Sequence, residues 1–463
     1  MEGAACAMST DSERKPVRPA GTRPKAMTLF RSLLYFVPSY ALGVGGYLAL
    51  NFVAARILGT ADFGYFAIVL TTSILIGQFS LVGVHRSGLR EAARTDDAER
   101  LAVLRQGLRA VLLVPVPVAS VGTAVVVWLW RGGESGDIAI AALSGLLVAC
   151  ASYQKVSANF LRGLGHVRAA TLITGRSGGA LIAVAQAACV GVVALVVPDP
   201  GLQEVLAGVA AGYLLPLMWA AWLLRRRWPH FPERRHRTLR DLVVVIKRDW
   251  RFSVSQTGAF LNSSIELWLT GAMLSGTATS LFAAGQRVGH LLVIPSQSLQ
   301  IIFSPALARL AYKDDNKQLE PLVRTAATVA ASASAVLWLP IMLVPGLILT
   351  TVFGAGFEDA VPVLMMLSSG YLLSAISGMS AVTLSMSHHE GDVAVINWSF
   401  VAARVVFGVI SAQLWGLNGL AASAVSLSAL ACVTSWWIVR KRLGISPHVT
   451  LRPRLSLLRR ISG

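Results

Sequence analysis

Three arginines lie inside long apolar stretches of this sequence: Arg176, Arg287 and Arg404. A charge at the centre of a hydrocarbon layer costs about 2.5 kcal/mol or more, so such residues point to function by default. Guanidinium presents a planar fork that pairs with phosphate or carboxylate oxygens. Each arginine also belongs to a polar stripe at helical spacing. Arg287, His290 and Gln297 are separated by three and then seven residues, and Asn397, Arg404 and Ser411 by seven each. Ser255, Asn262, Glu266 and Thr270 follow steps of seven, four and four, while Arg176, Ala183 and Gln186 share a small and polar face. The chemistry this offers is anion and hydroxyl binding, by Arg287, Arg404, Arg176, Asn262, Gln297 and Asn397. Glu266 and His290 are candidates for holding a coupling ion or proton.

Each residue has a structural reading beside the functional one. Arg176 lies about 10 Å from a membrane boundary at 1.5 Å per residue, within reach of snorkelling. Arg404 is near mid-span, too deep for that. Arg287 and Glu266 can form an ion pair with no other role, and His290 can be a satisfied core histidine. Lys155 sits near a helix end, and Arg56 with Asp62 reads as a pair within a loop. Gly175-Arg176-Ser177-Gly178-Gly179 fits the spacing of a nucleophile elbow, but no strand precedes it, so that reading fails. The same stretch and Gly208–Gly212 fit the spacing of close helix packing. The sequence carries no zinc-protease motif, P-loop or dinucleotide fingerprint, and its four cysteines are scattered. No catalytic set, cofactor or metal site is read.

The elements that must position these side chains are membrane helices. Of 463 residues, 54% are hydrophobic and 14% charged, and the mean hydropathy is +0.62. Soluble chains are nearer a quarter charged. The net charge of +18 falls in loops between apolar runs, with no separate basic domain for nucleic acid. Spans of about 20 residues are read at 33–54, 64–84, 110–130, 138–161, 169–196 and 205–224. Six more follow at 252–274, 280–305, 326–349, 361–385, 393–414 and 418–439. Between the two sets lies Arg225–Arg251, with ten Lys or Arg and three Asp or Glu, too basic for hydrocarbon. The expected plan is a polar basic tail at 1–31, lobes at 32–224 and 252–439, a basic linker at 225–251, and a basic tail at 440–463. Besides the three arginines within spans, Arg56 and Arg131 are the Lys or Arg placed at one set of helix ends, and all others of the 41 fall on the opposite side. That bias puts both termini and the linker in the cytoplasm.

The halves repeat each other. Gly201-Leu202 and Arg225-Arg226-Arg227 recur as Gly416-Leu417 and Arg440-Lys441-Arg442 at an offset of 215 residues. Gly59-Thr60-Ala61 recurs as Gly276-Thr277-Ala278 at 217. Six helices per half is even, so the halves share an orientation, as in transporters with a central site between lobes. Pro38, Pro295, Pro340 and Pro345 lie within the runs and permit kinks.

RILGTADFGYF at 56–66 resembles a signature of polysaccharide exporters of the MOP superfamily, relatives of the O-antigen flippases. Residues 266–310, FGAGFEDAVPVLMML at 353–367 and LWGLNGLAASA at 414–424 resemble later patterns of the same family. The resemblance implies an all-α integral membrane protein of about twelve helices in two six-helix lobes, MATE-like. It implies a flippase that carries polyprenyl-pyrophosphate-linked oligosaccharide from the inner to the outer leaflet, beside glycosyltransferases and a polysaccharide polymerase. A cation-coupled exporter of small amphiphiles is the alternative, and intramembrane arginines would repel cationic cargo. A membrane polymerase or glycosyltransferase needs a longer outer loop than 350–360 supplies.

Overall fold

In lipid every backbone polar group must be satisfied within its own segment, which makes long apolar runs helical. A computed structural model describes residues 26–84, 98–163, 166–174, 179–227, 238–312, 316–387 and 389–450. The first two runs form α1 (Ala26–Phe79), broken at Gly59, where φ is 62° and ψ −165°. As one straight rod its 54 residues would reach about 80 Å, against a hydrocarbon core of about 30 Å. The positive φ at Gly59 suits a residue without Cβ, and it divides α1 into two runs. The last two runs repeat the device in a helix from Glu390 to Leu443, broken at Gly416 with φ 60° and ψ −142°.

Between them the helices are α2 (Ala98–Leu113), α3 (Pro115–Trp130), α4 (Ile138–Gly163), α5 (Val167–Ile173), α6 (Gly179–Val196) and α7 (Leu202–Arg227). The second half continues with α8 (Thr238–Leu261), α9 (Ile265–Met273), α10 (Gly276–Gly289), α11 (Ile294–Tyr312), α12 (Asn316–Leu343) and α13 (Pro345–Phe353). Then come α14 (Val361–Ser377), α15 (Ser380–Met386) and the Glu390–Leu443 helix, α16. Eight of the described segments are long and apolar enough to cross a membrane, and the two longest each hold two of the expected runs.

Several runs read as continuous are broken. The fifth splits into α5 and α6, with Thr174 already extended. The seventh splits at 262–264 between α8 and α9, and the eighth turns through a 3₁₀ segment, His290–Val293. The tenth breaks at Gly378, beside which the Pro447 carbonyl packs too closely for a Cβ. The helix of the seventh run starts early, at Thr238. Its apolar face, including Leu242 and Val245, packs with Leu108, Val111 and Phe160.

The main core joins the two halves. Phe63, Phe66, Phe282, Phe353 and Phe357 are among its fully buried side chains. Phe63 lies 5.6 Å from Phe353 and 5.9 Å from Phe357, ring centre to ring centre. Gly64 approaches α10 so closely that a Cβ would sit 2.8 Å from the Gly276 carbonyl oxygen. Its amide donates to Ser280 Oγ at 2.6 Å. The expected close packing at Gly208–Gly212 is present: a Cβ on Gly212 would come within 2.5 Å of Gln186 Cα. Large apolar side chains such as Leu195, Leu215 and Val336 point outward, as a lipid-facing surface requires.

Candidate functional site

Where α1 faces α10 and α11, a cavity of about 100 Å³ lies between the halves. Its walls include Tyr40, Tyr47, Thr71, Arg287, His290 and Gln297. Arg287 ends α10, and the 3₁₀ turn that follows keeps His290, Ile294 and Gln297 on the same wall. The Arg287 guanidinium lies 5.1 Å from the centre of the Tyr47 ring, a cation–π contact. Its Nε and Nη2 are buried without a hydrogen-bond partner. Buried donors are nearly always satisfied, so each such group calls for an explanation. Across the cavity, Tyr40 Oη donates to Gln297 Oε1 at 3.0 Å.

A second cavity of about 200 Å³ lies within the C-terminal half, lined by Asn262, Glu266, His290, Tyr371, Arg404 and Ser428 among others. Arg404 Nη1 donates to Glu266 Oε1 in a buried ion pair. Arg404 Nη2 donates to Ser428 Oγ at 2.6 Å. Asn262 Nδ2 donates to Asn397 Oδ1 at 3.3 Å. His290 borders both cavities and meets Tyr371 edge-on at 5.6 Å.

These contacts correct two expectations. Glu266 pairs with Arg404, not with Arg287, because α9 packs on α16 while the end of α10 faces Tyr47 of α1. Arg56 does not pair with Asp62. It donates to the Thr351 carbonyl at 2.9 Å and lies over Phe52 at 4.4 Å, tying α1 to α13. Arg176 falls at 175–178, outside the described residues. Lys155 donates to Gln78 Oε1. The structure therefore groups Arg287, His290 and Gln297 in one cavity, and Glu266, Arg404 and Asn262 in the other, with Asn397 bonded to Asn262.

Sequence reasoning passed over Tyr40 and Tyr47, which carry no formal charge to mark them within an apolar run. Their spacing of seven was the available signal. It also missed Trp268, whose Nε1 donates to Thr72 Oγ1 at 2.8 Å between the halves.

No family profile matches the sequence, and no curated protein sequence does. Solved structures match over most of both chains. An inward-facing multidrug resistance MATE family transporter of the MOP superfamily gives a TM-score of 0.65 at 15% identity, covering 89% of this chain and 98% of that one. The fold is that of a MATE transporter. A Vibrio cholerae MATE transporter gives 0.61 at 14% identity, with 91% and 98% covered. A MOP superfamily transporter from Pyrococcus furiosus, described by the reverse polarity of its binding pocket, gives 0.54 at 15%, with 92% and 99% covered. In this MATE fold the Gly59 end of the central cavity is capped by the phenylalanine cluster, the Gly64–Ser280 contact and the Arg56–Thr351 bond. The Arg287 guanidinium lies on the wall of that cavity.

Proposed function

We propose that this chain is a transporter that moves a polyprenyl-pyrophosphate-linked oligosaccharide from the inner to the outer leaflet by alternating access. The observation that carries the reading is Arg287, whose side chain lines a cavity between the two lobes and whose Nε and Nη2 are buried without partners. A diphosphate supplies oxygens at the spacing that fork accepts. Tyr40, His290 and Gln297 offer hydrogen bonds to sugar hydroxyls. A cavity of about 100 Å³ is smaller than the roughly 300–1,000 Å³ of ordinary ligand pockets. The lobes must part before an oligosaccharide enters. Glycosyltransferases would supply such a substrate and a polymerase would consume it.

Export of small amphiphiles is the second reading, favoured by the multidrug transporters among the structural neighbours. Arg287 weighs against cationic cargo. Glu266, the acidic candidate for a coupling site, is already neutralised by Arg404. Binding to purified protein separates the readings. A prenyl diphosphate oligosaccharide should bind the wild type and lose at least tenfold in affinity with Arg287→Gln, about 1.4 kcal/mol. A lipophilic cation that binds the wild type more tightly than the diphosphate would reverse the choice.

A further inference from the structure

Beside the central cavity lies a third opening of different chemistry. It measures about 250 Å³ and is walled by Ile68, Val127, Trp130 and Trp268 among others. Three hydroxyls also line it, and each takes part in a hydrogen bond within the protein. Thr123 Oγ1 donates to the Ala119 carbonyl at 2.8 Å, Ser144 Oγ to the Ile140 carbonyl at 2.8 Å, and Thr72 Oγ1 accepts from Trp268. The crevice therefore offers almost pure hydrocarbon. Its mouth carries Val126 and Trp130, which are 64% and 45% exposed on the lipid-facing surface. Its inner wall is Trp268, whose ring lies 6.5 Å from that of Phe260, a residue lining the central cavity. On α1, Thr71 faces the central cavity and Thr72 the crevice. A chamber that carries a cation and an apolar one thus share a wall built from both halves of the protein.

We propose that this crevice holds the hydrocarbon tail of the lipid-linked substrate whose diphosphate meets Arg287, with Trp268 and Thr72 forming the partition between head and tail. This rests on the flippase reading. The occupant follows from position and lining: an apolar slot opening to the bilayer takes an alkyl or isoprenoid chain. A shared wall with the cation-bearing cavity favours a chain attached to an anionic head. The Trp268–Thr72 hydrogen bond crosses the lobe interface, so separation of the lobes breaks it and joins the chambers.

The test compares chain lengths. Ala272 lines the crevice and is exposed, so Ala272→Phe fills space without burying a new group in the core. Purified wild type and Ala272→Phe are titrated with a long-chain polyprenyl diphosphate and with a short-chain one. The expected result is a loss of about tenfold for the long chain, with the short chain unchanged. In parallel, wild type in nanodiscs is photolysed with a polyprenyl diphosphate bearing a diazirine near its free end. Adducts should map to residues 68–72, 123–130 or 268–272, and unlabelled polyprenyl diphosphate should compete them away. Equal labelling by a diazirine phospholipid would make the crevice an ordinary lipid contact and overturn the proposal. Diphosphate binding that needs Arg287 but ignores chain length would overturn the crevice and leave the flippase reading intact. Failure of both diphosphates to bind would sink the flippase reading itself, and the crevice assignment with it.

Discussion

Removing one partner of the Glu266–Arg404 pair should destabilise the protein far more than removing both. The two side chains are only 5% and 7% exposed. In Glu266→Leu, Arg404 keeps its bond to Ser428 Oγ but loses its counter-charge, and its Nε is already without a partner; Arg404→Met strands Glu266 in the same way. An uncompensated buried charge costs about 3–5 kcal/mol. A chain unfolded within the membrane finds other partners, which lowers such values, so about 3 kcal/mol is the expectation for each single variant. Replacing both residues by apolar ones of similar volume, Glu266→Leu with Arg404→Met, leaves no charge to strand. Such swaps are often neutral or better. Unfolding of the four proteins in mixed micelles, titrated with a denaturing detergent, gives the coupling energy of the cycle. The pair should show at least about 2 kcal/mol of coupling. A double variant destabilised by the sum of the singles would mean the two residues act independently and the ion pair holds nothing together.

Gly64→Ala places a methyl 2.8 Å from the Gly276 carbonyl oxygen and 2.9 Å from the Ser280 nitrogen. Such overpacking costs about 1–3 kcal/mol, so the cap should open more often. In a background without native cysteines, Tyr47→Cys should then react faster with an impermeant thiol reagent, and an unchanged rate would show the cap is not set there. The tail after α16 is strapped over the end of the C-terminal half. Thr450 N donates to Thr328 Oγ1 at 2.9 Å, and Trp436 Nε1 donates to His448 Nδ1 at 3.2 Å. Burial first, and the Arg324 charge next, hold the His448 pKa below its ordinary value, against an opposing pull from Glu320. The unfolded strap therefore binds protons first. Protection of residues 444–450 from hydrogen exchange should be full above about pH 6.5 and fall as the pH drops below it. Rising protection in acid would contradict this. A topology reporter placed within 229–240 should read cytoplasm, and one within 353–360 the outside.

The helical type of the elements was legible because period and length carry it. Gly59 and Gly416 sit where two apolar runs meet, and the reversal of each long helix could be seen as a gap in hydropathy. The breaks inside runs were less visible. The 262–264 break and the 3₁₀ turn at His290–Val293 interrupt apolar sequence without a proline or charge cluster at the break itself. Arg287 was legible as a candidate because a charge within a span is rare. Its partner was not. Glu266, Arg287 and Arg404 all lie in the same half, and only the packing of α9 on α16 decides which arginine the carboxylate takes. The crevice was invisible in the sequence, since its lining comes from α1, α3, α4 and α9 and its hydroxyls resemble any threonine or serine in a helix.

The central claim is that Arg287 provides the cation on which a lipid-linked diphosphate crosses. It is tested most directly in proteoliposomes containing a fluorescent lipid-linked oligosaccharide, with outward appearance followed by an impermeant quencher. Wild type should flip the labelled lipid well above empty liposomes. Arg287→Lys should retain part of the rate, since it keeps the charge and loses the fork. Arg287→Gln should fall to the level of empty liposomes while remaining folded at normal yield. Equal flipping by wild type and Arg287→Gln would contradict the account.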